Sequence, residues 1–205
     1  MTDASRLWAS APLQTLKIEL LTLLARYAYQ EGTFKLSSGQ SSDYYLNGKQ
    51  VTLRGEGALA IARLLLAQLP AGTGAVAGLT LGADPLVSGV SVVSAYENRP
   101  LPALIVRKEA KGHGTQAYIE GPTLPPATQV MVLEDVVTTG KSALLAVERL
   151  EAAGYRVIGI IALVDREQGG RELYAERGLN FTALFSIGEV QERYRQLNQS
   201  GKIVY

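Results

Sequence analysis

Two adjacent acids followed by a loop of small residues form the part of this sequence best suited to chemistry. Residues 130–142 read VMVLEDVVTTGKS, so Glu134 and Asp135 come directly after an apolar run. Two carboxylates can accept hydrogen bonds from the hydroxyls of a diol. Backbone N–H groups of a small-residue loop at the start of a helix can bind a phosphate. The segment therefore predicts a site for a phosphorylated sugar.

The elements around this segment must bring the acids and the loop together, and their pattern favours a parallel sheet. Residues 130–133 have no polar side chain, which is typical of a strand buried on both faces. Ligands of open α/β sheets bind beyond the carboxyl ends of the strands, where the two acids would emerge. After Ser142, leucine and valine recur at helical spacing up to Gly154. The loop therefore precedes a helix, whose free N–H groups and dipole attract phosphate.

Three other interpretations compete for the same segment. Gly140, Lys141 and Ser142 match the end of a nucleotide-triphosphate P-loop, but that motif needs glycine where this chain has Asp135. The strand and acids that hold magnesium in an ATPase would require a phosphate loop earlier in the chain, and the sequence has none. An ordinary strand, turn and helix with acids at a solvated strand end stays open.

Composition excludes several classes of site. The chain has 205 residues, 47% of them hydrophobic, and a formal net charge of +1. This charge balance gives no support for a nucleic-acid or membrane-surface partner. No cysteine and one histidine exclude disulfides, thiolate catalysis and multi-histidine metal sites. Because no membrane-spanning run or secretory leader is found, we expect a soluble cytoplasmic protein.

The remaining pattern predicts a single domain in two parts. Residues 1–70 contain two helical patterns, the first from Leu13 to Tyr27 with Gly32 as its stop and the second ended by Pro70. Residues 34–51 are predicted to form a turn and then a strand. Residues 71–205 form a core of alternating strands and helices, which argues for a parallel sheet flanked by helices. Strands are predicted at 75–79, 103–106, 130–133, 157–164 and 181–185, and helices at 85–96, 141–153 and 189–197.

One connection interrupts this alternation. Residues 107–121 are charged, contain glycine and are too long for a tight turn, which is typical of a functional lid. A solvated hairpin is the alternative. The glycine pairs at 72 and 74 and at 112 and 114 lack the third glycine of a dinucleotide-binding fingerprint.

Together these residues resemble the type I phosphoribosyltransferases, most closely the orotate-specific members. The resemblance spans residues 34–170. Residues 134–142 look like the family's phosphoribosyl pyrophosphate motif, and residues 107–114 look like the mobile loop of the orotate branch. Ser38, Gly39, Tyr44, Tyr45 and Asn47 resemble its base-binding segment, and Asp165 and Arg166 look like its strand end near orotate. The resemblance implies the family's parallel sheet with a small N-terminal hood.

The resemblance also implies a reaction and a role for each matching residue. The 5-phosphoribosyl group of phosphoribosyl pyrophosphate would be transferred to orotate, with Mg2+ as cofactor and no metal held by protein residues alone. A homodimer with shared active sites, and no nucleic-acid or membrane partner, are expected. The expected catalytic residues are Lys111, His113, Glu134 and Asp135. The expected substrate-binding residues are Tyr44, Tyr45, Arg107, Lys108, Lys111, His113, Thr138, Thr139, Gly140, Lys141, Ser142 and Arg166.

The chain departs from the family pattern at two lysines. Some bacterial orotate enzymes of the family have lysine where this chain has Ser37, and another lysine where it has Gly82. Lys35 would share the face of Ser37 in an extended segment and is a candidate substitute. Two rival functions stay open: a purine phosphoribosyltransferase, and a nucleotide-sensing regulator of the same fold that binds RNA or DNA. The lid composition argues against the first, and the absence of a basic stripe against the second.

Overall fold

The central feature of the molecule is a six-stranded sheet of order β5-β4-β3-β6-β7-β8, in which only β5 is antiparallel to its neighbour. The structure, a computed structural model, describes residues 8–35, 41–111 and 118–201. The strands of this sheet are β3 (Ala75–Leu79), β4 (Ala103–Val106), β5 (Ile119–Glu120), β6 (Gln129–Val137), β7 (Arg156–Asp165) and β8 (Phe181–Ser186).

Helices cover both faces of this sheet. They are α1 (Leu13–Leu23), α2 (Lys49–Thr52), α3 (Gly55–Gln68), α4 (Asp84–Tyr96), α5 (Lys141–Ala152), α6 (Gly170–Glu176) and α7 (Ile187–Gln199). The buried side chains form two apolar layers, one with α1, α3, α4 and α7 and the other with α5 and α6. Successive residues of β6 contribute to opposite layers, Met131 to the first and Val132 to the second, as the alternation of a strand requires. The predicted fold class is confirmed.

A second, two-stranded sheet forms a hood beside the core. The hood is the antiparallel hairpin of β1 (Tyr29–Lys35) and β2 (Ser41–Leu46). The first helix continues as a π-helical turn, Leu24–Ala28, and the chain then enters β1 directly. The prediction that Gly32 stops this helix is wrong, because Gly32 lies inside β1. The single strand predicted within residues 34–51 is in fact β2, preceded by β1 and followed by α2.

Most predicted elements of the core are confirmed to within a few residues at each end. Three features differ. Strand β6 continues four residues beyond its predicted end, through both acids to Val137. Strand β5 and helix α6 were not predicted, because neither is long enough to show a periodic pattern. In the described part of the chain, no helix is long and apolar enough to cross a membrane.

Candidate active site

The two acids lie within β6, and they are buried. Glu134 is 5% exposed and Asp135 is 9% exposed. Contacts on the two faces of β6 explain this burial, since Glu134 lies beside the loop that follows β6 and Asp135 lies against Gly48 and Gly82. The interpretation of the acids as solvated groups at an ordinary strand end is therefore wrong.

Glu134 and the loop that follows β6 share one cavity. This cavity has a volume of about 70 Å³ and opens between the carboxyl end of β6 and the start of α5. We call residues 138–142 the phosphate loop. The cavity is lined by Glu134, Val136, Val137, all five residues of the phosphate loop, Ala143 and Tyr174. The predicted proximity of an acid to a helix N-terminus is thus observed, and the cavity combines a carboxylate with backbone amides.

Glycine is required at two positions for this arrangement. Gly140 has a φ of +81°, and a Cβ there would come within 2.9 Å of the Tyr174 ring. Gly170, the first residue of α6, has no room for a side chain, because a Cβ would fall on Val137. Helix α6 therefore packs directly against the phosphate loop, and the hydroxyl of Tyr174 donates to the Gly140 carbonyl at 3.1 Å.

The carboxyl group of Glu134 is in an unfavourable electrostatic position. Burial removes water from it, and the neighbouring Asp135 repels a second negative charge, so the pKa of Glu134 is raised well above its usual value. The positive charge of Lys108 opposes this increase in pKa. Within the described residues, Oε2 of Glu134 has no hydrogen-bond partner. A buried acid with an unused acceptor is typical of a ligand site.

Asp135 points to the other side of β6, where backbone crowds its carboxylate. Its Oδ1 accepts a hydrogen bond from the N–H of Val136 at 2.9 Å, and Nζ of Lys49 lies 3.8 Å from Oδ2. A Cβ on Gly82 would fall on this carboxylate, and a Cβ on Gly48 would lie 3.6 Å from it. The family lysine that Gly82 replaces therefore has no space in this chain unless Asp135 moves. The sequence alone does not predict a role for Lys49, because only the fold brings α2 to β6.

A second polar cluster joins the end of β7 to the hood. The Nε of Arg166 donates to the hydroxyl of Tyr44 at 3.0 Å, and its guanidinium lies 4.7 Å from the centre of that ring. One guanidinium nitrogen, Nη2, is buried and has no partner among the described residues. A cavity of about 470 Å³ adjoins this cluster and is lined by Thr33, Ser41, Ser42, Asp43, Tyr44 and Gln168. The structure thus brings together two of the residues predicted to bind the base.

Tyr45 is placed apart from this cluster. Successive side chains of a strand point to opposite faces, so Tyr45 turns away from Arg166, packs at 5.5 Å against Phe34 and is 43% exposed. Asp165, at the end of β7, is buried and accepts hydrogen bonds from the N–H of Glu167 and from Arg171. These partners of Asp165 therefore belong to the residues that follow β7, as Arg166 does.

The described part of the lid is held by surface ion pairs. We call residues 107–111 and 118–120 the lid stem. Arg107 lies 3.0 Å from Glu120, and Lys111 lies 3.8 Å from the same carboxylate. Lys108 is exposed, and its carbonyl accepts a hydrogen bond from Arg149 at 2.7 Å. A cavity of about 420 Å³ beside the lid stem is lined by Thr80, Ile105, Arg107, Lys108, Glu109 and Glu120.

Several residues named in the sequence-based predictions lie outside the residues that the structure describes. His113, Ser37, Ser38 and Gly39 fall in the undescribed ranges, as does the side chain of Lys35. Thr139, Lys141 and Ser142 are exposed at the mouth of the phosphate-loop cavity. The lid stem follows β4, the acid pair lies near the carboxyl end of β6 and precedes the phosphate loop, and Arg166 follows β7. A ligand-binding cleft is expected at this edge of a parallel sheet.

Comparison with known proteins decides the family. No family model matches the chain. Two curated orotate phosphoribosyltransferases are close relatives. The protein from Synechocystis sp. is 68% identical over 187 residues, which are 91% of this chain and 94% of the relative. The protein from Nostoc sp. is 65% identical over 194 residues, which are 94% of each chain. The chain belongs to the orotate phosphoribosyltransferase family.

Solved structures of orotate phosphoribosyltransferases have the same fold. The Mycobacterium tuberculosis enzyme in complex with Fe(III) dicitrate matches with a TM-score of 0.75 and 36% identity over 85% of this chain and 98% of that one. The same enzyme in complex with 5-phospho-alpha-D-ribosyl 1-diphosphate matches with a TM-score of 0.71 and 31% identity over 86% of this chain and 99% of that one. An adenine phosphoribosyltransferase from Leishmania tarentolae, at 14% identity and a TM-score of 0.59, shares only the fold. The chain is thus a phosphoribosyl-transferring enzyme of pyrimidine biosynthesis.

Proposed function

We propose that this enzyme transfers the 5-phosphoribosyl group of phosphoribosyl pyrophosphate to orotate, giving orotidine 5'-monophosphate and pyrophosphate. One observation carries the proposal: a buried carboxyl group with an unused acceptor shares a cavity with the amides at the start of α5. The bond from ribose C1 to the pyrophosphate oxygen breaks, and the pyrophosphate keeps the electron pair. A new bond then joins C1 to a ring nitrogen of orotate, whose N–H bond breaks and releases its proton to the solvent.

The phosphate loop is the proposed site for the 5'-phosphate. Its amides lie at the positive end of the α5 dipole, and the cavity is large enough for one small anion. Lys141 adds a positive charge at the exposed rim. Fixed amides of this kind bind an anion without having to reorganise, so they hold the ribose at a defined position relative to the acids.

The acid pair is the proposed site for the ribose. Glu134 and Asp135 would accept hydrogen bonds from the ribose hydroxyls. Their negative charge would stabilise the positive charge that develops on the sugar as pyrophosphate leaves. Cations of the lid stem, Arg107, Lys108 and Lys111, would balance the charge on pyrophosphate, together with His113. The lid would also exclude water, which would otherwise react with the activated sugar.

The proposed Mg2+ would reach the site mainly on its substrate. The described residues contain no group of three or more acidic or histidine side chains that could hold a metal ion. In proteins, Mg2+ is usually held by one or two carboxylates together with substrate phosphates and water. Glu134 and Asp135 are the carboxylates that would hold it. When bound, Mg2+ neutralises charge on the pyrophosphate and so makes it a better leaving group.

The hood and the end of β7 form the proposed acceptor pocket. Orotate is an anion, and Arg166 presents a buried guanidinium nitrogen that has no partner among the described residues. A guanidinium can bind a carboxylate through two parallel hydrogen bonds. Tyr44 holds Arg166 in place from the hood side, so the pocket depends on the hairpin as well as on the core. Tyr45 lies on the face of β2 that points away from Arg166, so it would contribute to the base pocket only from that face.

A homodimer with shared active sites is part of the same proposal, as is a cytoplasmic location. The outer face of α4 exposes Val92 and Tyr96, which lie four residues apart and are 70% and 87% exposed. Leu81, just before α4, is 66% exposed. Large apolar side chains exposed together on one helix face, as Val92 and Tyr96 are, are typical of a protein interface. The ammonium group of Lys111 is paired with Glu120 at the surface. It does not line the phosphate-loop cavity of its own chain.

The reaction is tested by following orotate absorbance with phosphoribosyl pyrophosphate and Mg2+. We expect orotate to be consumed only when donor and metal are both present, and adenine offered in its place to give no product. Consumption of adenine but not orotate would contradict the proposal.

The dimer is tested by mixing two inactive variants, Lys111→Ala and Asp135→Asn. If each lid serves the neighbouring site, hybrid dimers have one intact site, and a random mixture should recover up to about a quarter of full activity. Each variant alone is the control. No recovery after subunit exchange has been verified would argue for self-contained subunits.

A further inference from the structure

We propose that Tyr174 is a positioning residue for the 5'-phosphate, because its hydroxyl holds the phosphate loop in the conformation that binds the anion. This inference rests on the proposed function of the loop. Tyr174 belongs to α6, which was not predicted from the sequence, and it matches none of the family motifs considered above.

The hydrogen bond acts on the peptide that opens the helix. The carbonyl of Gly140 accepts the Tyr174 hydroxyl at 3.1 Å and the N–H of Leu144 at 3.1 Å. Because a trans peptide is planar, the N–H of Lys141 must point opposite to the Gly140 carbonyl. Two donors on that carbonyl therefore fix the direction of an amide that lines the phosphate-loop cavity.

Packing holds Tyr174 itself in one position. The side chain is fully buried, and its ring lies 5.0 Å from the ring of Phe181. A Cβ on Gly140 would meet the Tyr174 ring, and a Cβ on Gly170 would meet Val137 and the backbone of the phosphate loop, so α6 and the loop are in close contact. The hydroxyl is thus carried by a rigid support, as a preorganised site requires.

Filling the core does not explain the hydroxyl group. An apolar ring would pack without the cost of burying a polar atom, so the hydroxyl is favourable only through its hydrogen bond. Burial, and then the negative charges of Glu134 and Asp165, raise the pKa of Tyr174 above its usual value. The hydroxyl therefore keeps its proton and remains a donor throughout the pH range in which the enzyme would be assayed.

The test compares Tyr174→Phe with Tyr155→Phe as a matched control. Tyr155 is also buried in the apolar layer that contains α5, but its hydroxyl accepts the N–H of Leu124, outside the phosphate loop. Calorimetry would measure the binding of ribose 5-phosphate and of pyrophosphate to the full chain. For Tyr174→Phe we expect the Kd of ribose 5-phosphate to rise about three- to tenfold, the range expected for one hydrogen bond. The Kd of pyrophosphate should change by less than about twofold, and neither ligand should be affected in the control.

Kinetics provide a second readout that a purely structural role would not change. The KM for phosphoribosyl pyrophosphate should rise by the same factor, with kcat and the KM for orotate unchanged, because ground state and transition state lose the same contact. If Tyr174→Phe does not fold, Tyr174→Met replaces it, since methionine adapts to irregular space. The same split between the two ligands is expected.

Three results would overturn the inference: equal weakening of both ligands, no weakening of either, or changes no larger than those of Tyr155→Phe. Wild-type protein that does not bind ribose 5-phosphate would also overturn it. Failure of the proposed reaction is a separate result, because binding of ribose 5-phosphate does not require turnover of orotate.

Discussion

The acid pair and the lid stem are the two charged regions of the site, and they are built in opposite ways. Glu134 is 5% exposed, lies inside the central strand and has a carboxylate oxygen with no partner in the described chain. Lys111 has a side chain that is 72% exposed, and it shares Glu120 with Arg107. One region keeps unsatisfied polar groups in a rigid position, whereas the other satisfies its charges with each other at the surface.

This difference indicates which part of the site is formed before substrate arrives. The phosphate loop and the acids need no rearrangement, because packing of α6 and the flanking strands already fixes them. In the proposed reaction, the lid cations would exchange Glu120 for the pyrophosphate. That exchange is inexpensive, since an exposed ion pair contributes about 0–1 kcal/mol to stability. Removing a charge from the rigid half should therefore have a larger effect on turnover than removing one from the lid stem.

The largest effect is expected from Asp135→Asn. The substitution removes a fixed negative charge beside the proposed ribose site, and loss of one preorganised charge contact lowers turnover by about a hundredfold or more. Steady-state kcat/KM for the donor is the measurement. Glu148→Gln on the exposed side of α5 is the matched control and should retain activity. An Asp135→Asn enzyme within about threefold of wild type would remove this residue from the mechanism.

Lys111→Ala tests the lid. We expect turnover to fall by up to about a hundredfold, because the charge on departing pyrophosphate is left unbalanced. The melting temperature should not change, since the ion pair to Glu120 is exposed. Near-normal turnover would show that the lid cation is dispensable, and a lower melting temperature would show that the lid stem is part of the rigid half.

Gly82→Ala should lower kcat/KM about tenfold. A Cβ at this position falls on the Asp135 carboxylate, so the acid must shift, and small misplacements of reacting groups are costly. Gly55→Ala is the control, because a Cβ there meets no atom within 4 Å. Equal activity of the two variants would mean that the Asp135 carboxylate can move away from a Cβ at position 82 without loss of function.

Glu134→Gln should make the folded protein more stable, by an amount that depends on pH, because it removes a buried group that can become charged. Burial and Asp135 raise the pKa of Glu134 in the folded state. Its protonated form therefore stabilises the fold at low pH, and this contribution is lost as pH rises through the raised pKa. The melting temperature of Glu134→Gln should exceed that of wild type at high pH, and the gap should narrow as the pH falls. A gap independent of pH would contradict this account.

The smallest effect is expected from Glu120→Gln. Removing the shared carboxylate releases Arg107 and Lys111, so the KM for the donor should fall by about twofold and stability should hardly change. The decrease should be clearest at low ionic strength, where charges are least screened. A higher KM would mean that Glu120 orients the cations for the donor.

The chemistry at the centre of the site was predictable because it is local in sequence. Glu134, Asp135 and Gly140 lie within seven residues, and both the apolar run and the helical pattern around them are clear. The burial of the acids was not predictable, since it depends on which elements pack against the two faces of β6. Tyr174 and Lys49 were missed because each reaches the site only through tertiary packing of a short helix.

The phosphate-loop cavity has a practical consequence for anyone who purifies this enzyme. A pocket of about 70 Å³ lined by helix N-terminal amides accepts small oxyanions in general. Inorganic phosphate or sulfate in a buffer should therefore protect the protein against heat, since a solute that binds only the native form stabilises it. The same anions should compete with the sugar donor, so a KM for the donor measured in these buffers would be too high.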